Sequence, residues 1–280
     1  MKIAVTGASG FIGRHVLTAL LQHEAEIVAV TRDTGRLAGI SAAIRVVEMD
    51  IACPAPDCFE QMGCPDVLIH LAWDGLPNYK SPHHFETELP RQYHFIKTLI
   101  EAGLSSLLVT GTCFEYGMQS GSLAEEMPAK PGNPYGYAKD ALRQQLGFLK
   151  SVKPFNLAWA RLFYMYGEGQ PNTSLYPKLK EAVLRGDKVF NMSGGEQLRD
   201  YLPVEEVARQ IVRLAMARRD IGATNICSGK PISVRRLVEQ WLLENNWKID
   251  LNLGYYPYPD YEPMAFWGDR HRLDTTLEQQ

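Results

Sequence analysis

The sequence of 280 residues lacks a basic excess, a long apolar run and a cysteine-rich pattern. A net charge of -3 offers no cationic surface to nucleic acid or to an anionic membrane. No apolar run approaches the roughly 20 residues that span a bilayer. The opening MKIAVTG enters a strand-like run at once, so we expect no signal peptide. We therefore expect a cytoplasmic protein that binds neither nucleic acid nor membrane, with small molecules or copies of itself as partners.

The five cysteines show neither CxxC pairs nor histidine and cysteine clusters at zinc spacing. They indicate reduced thiols rather than disulfides or a structural metal. His70 ends an apolar run and is interpreted as structural. His83 and His84 fall in a predicted loop that faces solvent or substrate, with no cysteine or paired carboxylate to complete a site, so we predict no bound metal.

Short β-rich runs alternate with helical segments through the first 165 residues. The predicted strands are 2–6, 26–31, 44–49, 66–72, 106–112 and 155–162, and the predicted helices are 11–23, 84–103 and 134–151. This alternation predicts an α/β fold with a Rossmann-type, doubly wound parallel sheet.

Beyond residue 165, loops rich in glycine, proline and aromatic residues predict a smaller C-terminal substrate-binding lobe. The aromatic run GYYPYPDYEPMAFWGD either walls the substrate pocket or packs this lobe. The expected division is a dinucleotide-binding domain at 1–165, with a return segment near 203–228, and a lobe at 166–202 and 229–280.

The stretch TGASGFIGRHV places Gly7, Gly10 and Gly13 directly after the first strand and at the start of a helix. This spacing lets the backbone turn tightly, approach a pyrophosphate and point helix N–H groups at its charge. A glycine triplet alone could be a plain tight turn. Its place at the first strand–helix junction favours dinucleotide binding, with Phe11 and Ile12 in the same loop.

The second predicted strand ends at Thr31 and Arg32 and so offers an arginine where a carboxylate would bind a ribose 2′-hydroxyl. Because an arginine accommodates a 2′-phosphate, we predict NADP as the cofactor, with NAD possible and a solvated loop arginine as the alternative reading. Asp50 and Ile51 end the third strand, where they are expected to bracket the adenine.

Tyr135 and Lys139, in NPYGYAKDALR, are four residues apart and share one face of a predicted helix. An ammonium near a phenol favours the phenolate and lowers the pKa of the phenol, which suits an acid or base beside a hydride-transfer site. A YxxxK pair alone is a common coincidence. Its place on the helix after the fifth strand, in a chain that begins with a glycine loop, favours a catalytic pair.

Several motifs in order carry a resemblance, namely TGASGFIG, HLAW, TGTCFEYG, NPYGYAK, ARLFYMYGEG, RDYLPVEEVA and NICSGKPISVRRLVE. From residue 2 to about 240 the chain resembles the extended short-chain dehydrogenase/reductases, and more narrowly the NAD-dependent epimerase/dehydratase family that acts on nucleotide sugars. The resemblance implies that Tyr135 is the catalytic acid or base, that Lys139 binds the nicotinamide ribose, and that Thr112 hydrogen-bonds the reacting sugar oxygen.

The same resemblance implies further contacts in both halves of the site. Leu71, Ala72 and Trp73 would line the cofactor, and Phe163 would lie near the nicotinamide. Arg199 would clamp a nucleotide diphosphate, with a surface ion pair to Asp200 as the alternative. Tyr164 is a candidate substrate contact at a position where many relatives have asparagine.

In dehydratases of that family an Asp-Glu pair directly follows the catalytic threonine, whereas Cys113 and Phe114 follow Thr112 here. Glu115 is one residue too late, and a one-residue shift in an extended segment turns a side chain to the other face. Dehydration is therefore disfavoured. Cys113 could be the acid of a 3,5-epimerising reductase, but that relative has its cysteine one position later. We therefore expect Cys113 to be a small buried hydrophobe, with Tyr116 and Gly117 shaping the loop.

The sequence thus predicts an NADPH-dependent reductase of a nucleotide-linked 4-keto-6-deoxy sugar, with Tyr135 as proton donor. The alternative is a nucleotide-sugar 4-epimerase that holds NAD tightly, which Arg32 and the short chain disfavour. A non-catalytic NADP-binding sensor is less favoured, because such a protein needs no tuned phenol. The resemblance also implies a homodimer through helices near 88–102 and 135–150.

Overall fold

The computed structural model describes residues 1–279. In its first part the elements are β1 (Lys2–Thr6), α1 (Phe11–Leu20), β2 (Glu26–Thr31), β3 (Ile44–Glu48), α2 (Cys58–Gln61), β4 (Val67–His70), α3 (Leu89–Ala102), β5 (Ser106–Thr112), β6 (Gly121–Leu123), α4 (Pro134–Val152) and β7 (Asn156–Leu162). The predicted strands and helices are present, with ends that differ by a few residues. The N-terminal end of the predicted 84–103 helix is a π-helical turn, His84–Glu88, that leads directly into α3.

The later part of the chain contains more regular structure than its loop-rich composition suggested. Its elements are β8 (Tyr164–Tyr166), α5 (Leu175–Arg185), β9 (Val189–Asn191), β10 (Leu198–Pro203), α6 (Val204–Met216), β11 (Gly222–Ile226), β12 (Pro231–Ser233), α7 (Val234–Glu244), β13 (Asp250–Asn252), β14 (Phe266–Gly268) and α8 (His271–Glu278). Across residues 1–279, none of these helices is both long and apolar enough to cross a membrane.

Within the described residues, seven strands form one parallel sheet in the order β3-β2-β1-β4-β5-β7-β11. The chain builds outward from β1 to β3 and then returns to β4 on the other side of β1, which confirms the predicted doubly wound sheet. The order reverses between β1 and β4, and ligands of such sheets bind in the crevice at the carboxyl ends of the strands there.

Helices cover both faces of the sheet, which explains why its strands are apolar on consecutive positions. One face packs through residues such as Val5 against Leu17 of α1 and Ile211 of α6. The other face packs through Leu68 against Phe95 of α3 and against α4. A separate apolar cluster lies outside the sheet, where α5, β9 and α7 bury Leu179, Phe190, Val238 and Trp241.

The glycine loop is folded tightly onto α1. A Cβ atom on Gly13 would lie 2.2 Å from the Gly7 carbonyl oxygen and 2.7 Å from that of Ala8. Both neighbours are backbone, so the loop itself would have to move. Gly147 lies in α4 and would meet nothing within 4 Å.

We therefore expect Gly13→Ala to lower the free energy of unfolding by about 1–3 kcal/mol, the usual cost of overpacking. Gly147→Ala should instead raise it by about 0.5–1 kcal/mol, since alanine is the better helix former. Urea unfolding of the two variants measures both changes. Equal stability of Gly13→Ala and the native protein would show that the loop is not held against α1.

Candidate functional site

A cleft of about 400 Å³, which we call the glycine-loop cleft, opens at the carboxyl ends of β1 to β4. It gathers many of the residues predicted to bind cofactor, namely Gly7, Gly10, Thr31, Arg32, Asp50, Ile51, Leu71, Ala72 and Trp73. Phe11, Ile12 and Gly13 lie beside it in the first turn of α1.

The glycine loop can present its own backbone, rather than side chains, to a ligand. Gly7 has a φ of 68°, and a Cβ there would lie 2.8 Å from the Ala72 amide nitrogen. Gly10 is the N-cap of α1 and gives it no side-chain cap. The N–H groups that begin α1 are therefore available to an anion at this point.

Arginines surround the end of the glycine-loop cleft that lies beside the end of β2. Arg32 and Arg36 line it and are exposed. The carboxylate of Asp33 accepts a hydrogen bond from the Gly35 amide at 2.9 Å, so it caps its own turn. Arg14 ties the glycine loop to this segment by donating to the carbonyls of Ser9 and Arg36. Sequence reasoning identified Arg32 but not Arg14 or Arg36, which lie outside the strand-end position that carries the signal.

Thr112, Tyr135 and Lys139 come together where β5 ends and α4 begins. Asn133 caps α4 by accepting from the Gly136 amide at 2.8 Å, which sets the Tyr135 position one turn before Lys139. The Lys139 Nζ donates to the Thr110 carbonyl at 2.9 Å and lies 5.9 Å from the centre of the Tyr135 ring. Thr112, Tyr135 and Lys139 are 6%, 8% and 2% exposed, so the three candidates are nearly sealed from solvent.

The expected lowering of the Tyr135 pKa by Lys139 is wrong for this structure. Burial, followed by the neighbouring Tyr79 and Glu115, raises the pKa of Tyr135 well above its usual value. Burial also lowers the pKa of Lys139 to about 7. The ammonium lies 3.9 Å from the centre of the Trp73 ring. Tyr135 is therefore a neutral phenol at physiological pH and can donate a proton.

Four rings enclose Tyr135. Its ring centre lies 5.9 Å from that of Trp73, 5.6 Å from Tyr79, 5.2 Å from His84 and 6.4 Å from Phe114. Trp73 faces the glycine-loop cleft, whereas Tyr79 and Phe114 face a second cleft. The tyrosine itself lines neither cleft and lies at the partition between them, behind these aromatic walls.

The predicted solvated or substrate-facing position is wrong for His84, which is fully buried. Its Nε2 lies 2.8 Å from the Asn78 carbonyl oxygen, and its Nδ1 accepts from the Trp73 indole at 3.1 Å. Burial lowers the pKa of His84.

His83 remains partly exposed, and folding brings carboxylates to it that sequence spacing did not reveal. Asp74, His83 and Glu88 place possible ligand atoms within 4.8 Å of one another. The Arg91 guanidinium lies 3.9 Å from Glu88 and supplies that carboxylate with a cationic partner.

Glu115 is turned away from the clefts and fully buried. Its carboxylate accepts from the Thr112 amide at 2.9 Å, from the Trp159 indole at 2.9 Å and from the Arg161 Nε at 2.7 Å. The Thr112 hydroxyl accepts from the Phe114 amide at 3.3 Å, which leaves its own proton free to donate. Cys113 is buried as predicted, and burial raises the pKa of its thiol.

The second cleft, of about 560 Å³, is named the tyrosine cleft for its lining. Its residues include Tyr79, Lys80, Phe114, Tyr164, Tyr166, Tyr176, Tyr201, Trp241, Tyr261 and Glu262. An adjoining outer cleft shares Tyr164 and Glu262 and is also lined by Lys178, Arg185 and Arg199. The aromatic run near the C-terminus thus contributes Tyr261 to a cleft wall.

Arg199 is 3% exposed and already paired, because its Nη2 lies 2.8 Å from a Glu262 oxygen. The Tyr164 hydroxyl donates to the other oxygen of Glu262. The alternative pairing of Arg199 with Asp200 is wrong. Asp200 accepts from the amides of Ser228 and Gly229 instead.

Phe163, predicted to lie near the nicotinamide, packs in a buried cluster with Cys113, Tyr116 and Phe266. Its side chain lines neither the glycine-loop cleft nor the tyrosine cleft. In this structure it is a core residue beneath the strand ends.

Comparison with known proteins gives one consistent family. The model of the NAD dependent epimerase/dehydratase family matches residues 3–227. The dTDP-6-deoxy-L-talose 4-dehydrogenase (NAD(+)) of Aggregatibacter actinomycetemcomitans is 32% identical over 270 residues, covering 96% of this chain and 99% of that protein. The GDP-6-deoxy-D-talose 4-dehydrogenase of the same organism is 25% identical, covering 85% of this chain and 78% of that protein.

Among solved structures, UDP-glucuronic acid 4-epimerase from Bacillus cereus, in complex with UDP-glucuronic acid and NAD, has a TM-score of 0.84. It is 22% identical, and the superposition covers 100% of this chain and 94% of that chain. At this identity the likeness concerns the fold.

The burial of Glu115 generates a stability prediction. Glu115→Gln keeps the side-chain shape but leaves the buried Arg161 without an anionic partner, so unfolding should become easier by about 3–5 kcal/mol. Glu239→Gln, in an exposed pair with Arg235, is the matched control and should change stability by less than about 1 kcal/mol. Thermal and urea unfolding measure both, and similar small changes would contradict a structural role for Glu115.

Proposed function

Since the chain belongs to the NAD-dependent epimerase/dehydratase family of enzymes that act on nucleotide sugars, we propose that it reduces a nucleotide-linked 4-keto-6-deoxy sugar with NADPH. The observation that carries the proposal is the position of Tyr135, a neutral phenol at the partition between two clefts. Two relatives named as 4-dehydrogenases of 6-deoxy-talose nucleotides support chemistry at C4 of a 6-deoxy sugar.

The residues of the glycine-loop cleft fit a dinucleotide. A Cβ on Gly7 would fill the space beside Ala72, and the start of α1 has no side-chain cap to compete with a pyrophosphate. We assign the pyrophosphate to Gly7, Gly10 and the first turn of α1, the adenine to Asp50 and Ile51, and the nicotinamide end to Leu71, Ala72 and Trp73. The bound nicotinamide supplies the hydride.

The chain supplies the proton and the alignment. Tyr135 donates its phenolic proton to the sugar oxygen as the keto carbon is reduced, and its raised pKa keeps that proton in place until then. Thr112 donates to the same oxygen, since its hydroxyl accepts from the Phe114 amide and keeps its own proton available to donate. Lys139 offers the remaining ammonium protons to the nicotinamide ribose and stabilises the phenolate that forms.

The tyrosine cleft is assigned to the nucleotide sugar, with Tyr164 and Arg199 as substrate contacts. Arg199 borders the outer cleft, where its Nε and Nη2 both donate to one oxygen of Glu262. A diphosphate could take the place of Glu262 and bind both donors. This assignment accounts for the aromatic lining, which suits the faces of a sugar and a base.

The proposed domain division follows the packing. Residues 1–165 and 203–228 build the main sheet and its helices, because α6 and β11 join it, and residues 166–202 and 229–280 form the lobe with its own apolar cluster. We also propose a cytoplasmic homodimer through α3 and α4. Phe148 is 74% exposed and Val152 80% exposed on α4, as an interface between copies would require.

A nucleotide-sugar 4-epimerase is the second candidate function, supported by the likeness in fold to UDP-glucuronic acid 4-epimerase. It would retain NAD through the cycle, whereas a reductase must exchange its cofactor at each turnover. The exposed arginines at the ribose end of the glycine-loop cleft favour NADP and therefore the reductase.

The activity test is NADPH absorbance with a panel of nucleotide-linked 4-keto-6-deoxy sugars. We expect substrate-dependent oxidation that Tyr135→Phe slows by roughly 10²–10⁴-fold with cofactor affinity nearly unchanged. Tyr137→Phe, an exposed phenol on the same helix, is the matched control and should retain full turnover.

Each contrary outcome of this assay points elsewhere. Full turnover by Tyr135→Phe would remove that residue from the mechanism. Interconversion of C4 epimers without net oxidation would indicate the epimerase, and a product of a nucleotide-linked hexose lighter by one water would indicate dehydration.

The cofactor prediction concerns Arg32. A 2′-phosphate needs a cation at the end of β2, and the loss of a charged hydrogen bond there should weaken NADPH binding by about 10- to 100-fold. We expect Arg32→Ala to narrow or reverse a preference for NADPH over NADH, with Arg36→Ala showing a smaller effect. Arg235→Ala, remote from the cleft, should change neither constant. Equal dissociation constants of NADPH and NADH in the native protein would refute the NADP assignment.

A further inference from the structure

A chain of contacts runs from the loop after β4 to the candidate catalytic pair. The Trp73 indole donates to Nδ1 of His84 at 3.1 Å, and an indole nitrogen can only donate. Nδ1 is therefore unprotonated. The proton must lie on Nε2, where it is donated to the Asn78 carbonyl at 2.8 Å. His84 is thus held as a neutral imidazole in one tautomer.

The loop that contains His84 is packed to keep this arrangement. Gly75 has a φ of 84°, and a Cβ there would lie 2.9 Å from the His83 ring and 3.2 Å from the His84 ring. His84 is fully buried and stacks against Trp73 with ring centres 6.4 Å apart. The indole N–H of Trp73 is consequently held by a rigid acceptor, the Nδ1 atom of His84.

The ammonium of Lys139 lies against the face of the Trp73 indole ring. Lys139 is 2% exposed, and its ammonium donates one hydrogen bond to the Thr110 carbonyl. Its second partner is the face of the Trp73 ring, 3.9 Å away. A buried ammonium is costly unless its charge is compensated, and a desolvated aromatic face is an effective partner.

We propose that His84 is a positioning residue for the Tyr135–Lys139 pair. By accepting a hydrogen bond from the indole N–H, His84 fixes the Trp73 ring, and the ring face stabilises the charged form of the Lys139 ammonium. The assignment of a catalytic task to that pair rests on the proposed function. The geometry of His84, Trp73 and Lys139 does not.

The charge of Lys139 can be followed directly. Other titratable groups face it, namely His70 from β4, Glu88 and His84 from the π-helical turn, Glu115 from the turn after β5, and Tyr135 from α4. Apart from His84 itself, these groups remain in every variant below. The pKa of Lys139 is already lowered by burial, and release of the ring removes a partner of its charged form, so the pKa must fall further.

The experiment is an NMR titration of the cofactor-free protein carrying ¹³Cε-labelled lysine. We expect His84→Phe, which keeps a ring but cannot accept, to lower the Lys139 midpoint by about one pH unit, which is a tenfold lower ratio of ammonium to neutral amine at a given pH. His84→Gln retains an acceptor and should restore most of the midpoint. His23→Phe, at an exposed site, should leave it unchanged.

Trp73→Phe is a second, independent test of the same hydrogen bond, because it removes the indole N–H while His84 stays in place. It should lower the midpoint similarly, and adding His84→Phe to it should cause little further change, since both substitutions break one hydrogen bond. A native midpoint in Trp73→Phe and in a folded His84→Phe, or fully additive shifts, would overturn the proposal.

Activity separates this inference from the proposed function. With the keto-sugar panel, the alkaline limb of kcat/KM should move to lower pH in His84→Phe and Trp73→Phe, because the charged form of Lys139 is lost sooner. Lack of NADPH oxidation by the native protein would refute the function and leave the Lys139 titration standing. An unshifted alkaline limb in variants that shift the titration would overturn the link to the catalytic pair.

Discussion

The carboxylate of Glu115 lies beneath the end of β5 and accepts from the Thr112 amide, the Trp159 indole and the Arg161 guanidinium. These three donors come from the last residue of β5 and from β7, so the carboxylate fastens the turn after β5 to both strands. A Cβ on Gly111 would lie 2.4 Å from Glu115 and 2.2 Å from the Trp159 indole nitrogen, which shows how closely the groups are packed. The orientation of Thr112 follows from this fastening.

The start of α4 depends on the same turn. A Cβ on Gly136 would lie 2.6 Å from the Phe114 carbonyl oxygen, so the helix approaches the turn backbone to backbone. Asn133 fixes where the helix begins, and Tyr135 and Lys139 then project from its first turns. A carboxylate that could have served elimination chemistry one residue earlier is here committed to structure, which supports the proposed reduction over dehydration.

Sequence reasoning predicted the sheet because strand and helix periodicities are local properties, and it predicted the glycine-loop cleft because carboxyl ends of parallel strands meet at one edge. It also paired Tyr135 with Lys139, since helical spacing decides that contact. It did not find the burial of His84 or the pairing of Arg199 with Glu262, whose positions are 63 residues apart. Glu262 lies in an aperiodic aromatic segment, where nothing local indicates the partner that folding brings to it.

The site contains three buried cations, and the structure compensates them in two ways. Arg161 pairs with the buried carboxylate of Glu115 at 2.7 Å, and Arg199 pairs with the largely buried carboxylate of Glu262 at 2.8 Å. Lys139 instead has a carbonyl and an aromatic face. A carboxylate fixes a cation strongly but competes for its N–H donors, whereas a ring face compensates charge and leaves the remaining donors free. Lys139 can therefore form new hydrogen bonds without breaking an ion pair. In the proposed function, Arg199 binds a diphosphate only if Glu262 gains another partner, because a largely buried carboxylate left alone is costly.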